Sequence, residues 1–138
     1  MALLYNKVQR RNPQDLEAPA KWYPVLKTAR MKRESEVAKE IADETTLNPK
    51  EAEMAIAQLK KIMIRTLLNG ESVQLGDWGS FYLSLNTEGS ATEEEATAAK
   101  VKKINIRFLP GVELKEAIAK AEFIDAATLS NKPKTPAV

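Results

Sequence analysis

The sequence predicts a mixed α+β fold: a helix pair, a three-stranded antiparallel sheet, a C-terminal helix and extra N-terminal strands. Three observations predict this fold. Apolar residues keep a helical period over residues 49–68, the period changes to two after Gly70, and two further strand-like runs precede the helices.

The N-terminal segment is predicted to contain two strands joined by a loop. Residues 2–10 and 21–29 are the strand-like runs, and residues 11–20 form the loop because they contain two prolines and several turn formers. Pro24 has no N–H to donate to a neighbouring strand, so the second strand is expected at a sheet edge or at a bulge.

The helix pair is marked by a short apolar stripe and then by a set of start signals. The stripe that begins at Val37 predicts a first helix that ends near Thr45–Leu47. Asn48 suits the N-cap of the second helix, Pro49 its first position and Glu51 the reciprocal place in a capping box.

The second helix is apolar along one side for four turns before Asn69-Gly70 ends it. One short partner helix cannot cover a stripe of that length, so the sequence predicts a partner subunit. The predicted dimer core contains Ile56, Leu59, Ile62, Met63, Trp78 and Phe81.

Strand periodicity then continues to Pro110-Gly111, which breaks it. Alternating runs around Val73, Phe81 and Ile104 predict three strands, and residues 86–100 between the last two lack periodicity and hold four Glu against one Lys. The final helix is predicted from a stripe of Leu114, Ala117, Ile118 and Ala121.

Composition excludes several classes of function. The 138 residues include no Cys and no His, which removes disulfides, thiolate chemistry and the commonest general base and metal ligand. No cofactor, no catalysis and no small-molecule substrate are expected. No signal peptide or membrane span is predicted, so the expected location is cytoplasmic.

Charge is divided unevenly along the chain, although the net charge is only +2. Residues 1–33 hold eight basic and two acidic side chains, residues 34–100 hold six and thirteen, and residues 101–138 hold seven and four. Two basic ends that flank an acidic middle suggest a polyanionic partner.

Five ordered segments resemble the bacterial histone-like family of HU and integration host factor, and most closely the longer HU-related proteins of the Bacteroides lineage. They are Glu36–Ala42, Leu47–Ala52, Asn69–Leu75, Trp78–Phe81, and Phe108–Gly111 followed by Leu114-Lys115.

This resemblance implies an intertwined homodimer with a helical base, a saddle of strands and two β-arms that embrace and bend duplex DNA. With the residue patterns at both ends, it predicts three parts: a basic strand extension (1–33), an HU-like DNA-binding domain (34–127, with its arm at about 86–100) and a disordered tail (128–138). The implied function is sequence-independent DNA binding by a nucleoid-associated architectural protein.

The sequence also departs from that family. The expected arm has no Arg and no Pro, and Leu109 and Val112 stand where the family often has lysines, although Lys115 is retained. An alternative is therefore a structural or interaction protein that uses an HU scaffold with reduced or lost DNA binding.

Strand alternation separates the predicted DNA contacts from the apolar residues. If Ile104, Ile106 and Phe108 pack on helices, the cations between them face outward, together with Tyr82, Ser84 and Asn86. An ordinary solvated face is the alternative there, and a charged strand edge that blocks aggregation is the alternative for the N-terminal cations. The predicted nucleic-acid-binding residues are Lys103, Arg107, Lys102, Lys115, Arg10, Arg11 and Lys7.

Overall fold

The computed structural model describes residues 2–130, which divide into two compact units. The first unit, here the terminal unit, joins residues 2–31 with residues 119–130, and the second, here the central unit, is residues 32–118. Of the predicted disordered tail, residues 131–138 lie outside the described residues, whereas residues 128–130 belong to a short helix.

Ten helices and strands follow one another along the described chain, apart from two 3₁₀ turns. They are β1 (Ala2–Arg10), β2 (Lys21–Lys27), α1 (Glu34–Glu44), α2 (Pro49–Leu68), β3 (Val73–Gln74), β4 (Gly79–Thr87), β5 (Val101–Pro110), α3 (Val112–Ala119), β6 (Glu122–Asp125) and α4 (Ala126–Ser130).

The terminal unit contains a three-stranded sheet in the order β2-β1-β6. β1 and β2 are antiparallel, with Leu4 opposite Lys27 and Arg10 opposite Lys21, and β6 lies parallel to the other side of β1. β2 is therefore an edge strand, as Pro24 predicted. β6 was not predicted: α3 ends at Ala119 rather than near residue 121, because the following residues pair with β1 instead of extending the helix.

The helix pair of the central unit has the predicted bounds, and Asn48 and Glu51 form the predicted capping box. The Asn48 side chain accepts a hydrogen bond from the Glu51 N–H at 2.9 Å, and the Glu51 carboxylate accepts one from the Asn48 N–H at 3.0 Å. α1 and α2 pack against each other, and each contains one of the two fully buried apolar residues of the described chain, Ala38 and Ala52.

The second sheet has the order β3-β4-β5 with antiparallel neighbours. A 3₁₀ turn at Gly76–Trp78 connects β3 to β4, which places the Trp78 ring beside those of Phe81 and Phe108. The ring centroid of Phe108 lies 5.1 Å from that of Trp78 and 4.8 Å from that of Phe81. These three rings form the main apolar cluster at the start of the sheet.

Most of the apolar face of this sheet is uncovered. Ile104 is 57% exposed and Ile106 is 60% exposed, so the premise that they pack on helices is wrong for the helices of a single chain. Ile104 and Ile106 lie on the part of β5 that extends beyond the aromatic cluster. None of the described residues covers the apolar face there.

The predicted arm region contains no strand in the described structure between Thr87 and Val101. Residues 88–100 form turns and a short 3₁₀ helix, closed at the base by a hydrogen bond from the Glu88 N–H to the Lys100 carbonyl at 2.9 Å. Acidic, glycine-containing sequence without apolar alternation has no face to bury, which explains why the hairpin strands stop there.

Candidate nucleic-acid interface

The register of β4 and β5 places six polar side chains on one face of the sheet, here called the saddle face. Tyr82 lies opposite Arg107, Ser84 opposite Asn105, and Asn86 opposite Lys103. Directly opposed residues of antiparallel strands project to the same side, and the alternate residues Leu83 and Ile106 project to the other. The predicted separation of polar and apolar faces is confirmed.

Two cations of the saddle face differ in their surroundings. The Arg107 Nε donates to the Ser84 hydroxyl at 3.3 Å, which orients the guanidinium and leaves its terminal nitrogens for other acceptors. Lys103 is exposed and forms no ion pair with any described residue. Cations and amide or hydroxyl donors in such an arrangement suit phosphate and sugar oxygens better than base edges.

Lys102 lies beside this face but is held by the acidic loop. Its ammonium is 3.2 Å from the Glu88 carboxylate, and both side chains are exposed. An irregularity in the pairing occurs at Asn86/Thr87, so Lys102 has no direct partner on β4. Sequence alternation alone could not locate this irregularity, because an extra residue in one strand depends on its pairing with the other.

Lys115 belongs to α3 and not to the sheet. It is exposed, and its backbone N–H donates to the Gly111 carbonyl at 3.0 Å, in the first turn of the helix. Its side chain forms no ion pair with a described residue.

The remaining predicted cations belong to the terminal unit. Arg10, Arg11 and Lys21, here called the hairpin-end cluster, line an open cavity of about 410 Å³ at the end of β1 and β2. Lys21 was not among the predicted residues, although it lies directly opposite Arg10. Lys7 is in the middle of β1, where its ammonium is 3.4 Å from the Asp125 carboxylate.

The predicted dimer-core residues of α2 lie along one side of that helix. Ile56 and Met63 are half-buried, whereas Leu59 and Ile62 are each about two-fifths exposed. Trp78 has a similar exposure despite its place in the aromatic cluster. Their burial in a dimer stays a prediction.

Neither of two other kinds of site is found in the part of the chain that the structure describes. No group of three or more Asp or Glu side chains in residues 2–130 is arranged to hold a metal ion. None of the helices in the same range is long and apolar enough to cross a membrane.

Comparison with solved structures supports the fold assignment. The chain is similar to the crystal structure of a Bacteroides vulgatus protein that is provisionally described as a bacterial DNA-binding protein, with a TM-score of 0.60 and 18% sequence identity. The similarity covers 89% of this chain but 48% of that one, so this chain spans about half the length of its structural neighbour.

Comparison with curated proteins gives no match. Residues 1–125 match the HU-HIG family, described as an HU domain fused to a wHTH, Ig or glycine-rich motif. The match includes both the helix pair with its sheet and the N-terminal strands. This chain belongs to the HU-HIG family.

Proposed function

We propose that this protein binds duplex DNA without sequence preference, as a homodimer, and acts as a nucleoid-associated architectural protein. Membership of an HU-type family and the description of the Bacteroides vulgatus neighbour support DNA binding in general terms. The observation that carries the specific proposal is the saddle face, where register aligns Lys103, Arg107 and four polar side chains on the side opposite the apolar residues.

The chemistry of the saddle face suits the DNA backbone. Arg107 presents a planar guanidinium that Ser84 orients, and Lys103 presents an ammonium without an acidic partner among the described residues. Both groups attract DNA phosphates whatever the base sequence. Binding releases the counterions that had neutralised those phosphates. Sequence-independent and salt-sensitive binding is the expected result.

The homodimer is proposed because the apolar side of the central unit is incomplete in one chain. The exposed faces of β5 and α2 contain large aliphatic side chains, among them Ile104, Ile106, Leu59 and Ile62. Exposed apolar patches of this kind mark association surfaces. A dimer doubles the saddle cations to four and also covers these side chains.

A second candidate function is favoured by the ion pair between Glu88 and Lys102. This pair neutralises a cation beside the saddle face, which would weaken DNA binding, and the HU scaffold would then serve to contact other proteins. Leu109 and Val112, which replace two cations expected from the HU resemblance, favour the same alternative.

The deciding experiment is an anisotropy titration of labelled duplex DNA at low and moderate salt. If a dimer neutralises about 4–8 phosphates, log affinity falls against log salt with a slope of roughly −4 to −7. The double substitution Lys103→Ala with Arg107→Ala should weaken binding and flatten that slope by about 2–4 units. Unrelated duplexes should bind with similar affinity, because contacts to phosphate and sugar carry no direct sequence information.

The matched control is Lys39→Ala with Lys61→Ala, which removes the same charge from exposed positions of α1 and α2 that form no ion pair with a described residue. That variant should keep most of the salt slope. Absence of binding at low salt would reject the DNA proposal in favour of the interaction protein. Equal losses in both double variants would place the contacts elsewhere than on the saddle face.

A further inference from the structure

The terminal unit has an apolar surface of its own, here called the aromatic sheet face. On β1 it contains Tyr5 and Lys7, and the register places Leu26, Pro24 and Trp22 of β2 and Phe123 of β6 on the same side. These side chains line an open cavity of about 590 Å³. Lys7 is the one residue of this set with a predicted role, as a DNA contact, and no role was predicted for the aromatic rings.

Two of its rings are unusually open to solvent. Trp22 and Phe123 are each 65% exposed, and they belong to opposite edge strands with Tyr5 between them on β1. A soluble protein rarely leaves large aromatic side chains of one sheet face so exposed unless the face binds something.

The three rings are spread along the sheet, on both sides of Tyr5 and at unequal intervals. The register places Phe123 level with Leu3, two residues or about 7 Å along the sheet from Tyr5. Trp22 lies level with Gln9, four residues or about 13 Å from Tyr5 in the other direction. Each ring thus has open sheet beside it where a flat base could lie against it.

Lys7 and Asp125 balance each other on this face, and the cations around it favour an anionic ligand. The side chain of Lys7 is 64% exposed, whereas that of its partner Asp125 is only 17% exposed, so an incoming phosphate can reach the ammonium from solvent. The terminal unit contains seven basic and four acidic residues between residues 2–31 and 119–130, a net charge of +3. The hairpin-end cluster begins at the residue next to Trp22 and adds three of these cations.

We propose that the aromatic sheet face binds single-stranded nucleic acid, with bases stacked on Trp22, Tyr5 and Phe123 and phosphates near Lys7 and the hairpin-end cluster. Alternating aromatic and cationic groups are the arrangement by which sheets hold single strands regardless of sequence. A second copy of the chain would fit less well. It would bury the Lys7–Asp125 ion pair in the middle of the interface, where charged residues are depleted in protein complexes.

The test is binding of fluorescently labelled oligothymidylate of about 15 nucleotides, near the upper size of single-strand sites on one small sheet domain. The double substitution Trp22→Ala with Phe123→Ala should lower affinity at least tenfold, because each stacked base contributes a factor of about 5 or more. Replacing Trp22 by Tyr instead of Ala should keep most of the oligothymidylate affinity, because a tyrosine ring can also stack on a base. Ile124→Ala is the control, since Ile124 is the residue next to Phe123 on β6, projects from the opposite face and lines neither cavity.

A second measurement detects stacking itself. In a Trp78→Phe variant, Trp22 is the single tryptophan, and stacked bases should quench its fluorescence in proportion to the oligonucleotide bound. Absence of binding at low salt, or binding without quenching, would overturn the proposal. A third result would also overturn it: the Trp22→Ala, Phe123→Ala variant keeps its affinity but loses dimer in sedimentation. That result would identify the face as a contact between copies of the chain.

This proposal and the duplex proposal can fail separately. Lys103→Ala with Arg107→Ala changes the central unit and should leave oligothymidylate affinity within about twofold. The aromatic substitutions change the terminal unit and should leave the salt slope of duplex binding intact. Loss of both activities in either variant would show that one surface serves both ligands and would contradict a separate single-strand site.

Discussion

At the scale of single residues, two glycines explain why the Trp-Gly-Ser-Phe and Phe-Leu-Pro-Gly segments occur together. The Gly111 N–H donates to the Trp78 carbonyl at 2.8 Å, and a Cβ at Gly111 would overlap the Asp77 carbonyl. A Cβ at Gly79 would lie 2.8 Å from the Leu109 carbonyl oxygen and against the Phe108 ring. The sequence shows both segments, but their contact depends on strand register, which local patterns do not determine.

Gly79→Ala should therefore destabilise the fold. The Leu109 carbonyl belongs to the paired backbone of β5 and cannot move without breaking the sheet, so the added methyl group should cost about 1–3 kcal/mol in free energy of unfolding. Urea unfolding followed by circular dichroism measures this cost. Gly89→Ala is the control, because a Cβ at Gly89 has no atom within 4 Å. Equal midpoints for the two variants would show that the close approach has no consequence.

At the scale of elements, the sequence predicts best where the signals are local. α2 begins and ends where predicted because Asn48, Pro49 and Gly70 act on their immediate neighbours. β6 was missed because its four residues are stabilised by pairing with β1, more than 110 residues earlier in the chain. Lys102 was predicted as a DNA contact, whereas the irregular pairing at the end of β4 leaves it without a direct partner on that strand and its ammonium lies beside Glu88 of the acidic loop.

The ion pair of the acidic loop yields a prediction about affinity. Glu88→Gln should free Lys102 and raise duplex affinity by up to about fivefold, since exposed ion pairs are weak. Glu71→Gln is the matched control: it removes one exposed carboxylate of the central unit that forms no ion pair with a described residue. An equal gain in both variants would assign the effect to net charge alone.

Deletion of residues 88–97 tests the whole loop. Without its four carboxylates, duplex affinity should be unchanged or slightly higher, because like-charge repulsion is removed. The measurement is the same anisotropy titration at low salt. A large loss of affinity would mean that the loop contacts DNA directly, against the interpretation of its acidic sequence.

At the scale of the whole molecule, the sequence predicted a partner subunit but did not predict which residues form each of the two compact units. The helical period gives the length of the apolar stripe on α2 without identifying what covers it. In the structure, Leu59 on that stripe is partly exposed. The grouping of residues 119–130 with residues 2–31 was not predictable, because it depends on parallel pairing across nearly the whole chain. Charge counts by segment therefore mixed residues that belong to different units.

The proposed homodimer can be tested by comparing two Leu→Ala substitutions on α2. Leu59 and Leu68 are nine residues apart, which places them on opposite sides of the helix at about 100° per residue. Leu59 is on the predicted dimer stripe, and Leu68 is 72% exposed on the other side. If a partner subunit buries Leu59, its truncation should cost roughly 2–5 kcal/mol and lower the dimer content, whereas Leu68→Ala should change the free energy of unfolding little.

Sedimentation equilibrium at low micromolar concentration measures the dimer content, and urea unfolding at two protein concentrations measures its coupling to folding. The unfolding midpoint of an obligate dimer rises with protein concentration, because association stabilises the folded state by mass action. Wild type and Leu68→Ala should show this dependence, and Leu59→Ala should unfold at lower urea at both concentrations. A stable folded monomer whose midpoint ignores concentration would contradict the homodimer. The uncovered faces of β5 and α2 would then be available to a different protein, as the interaction-protein alternative requires.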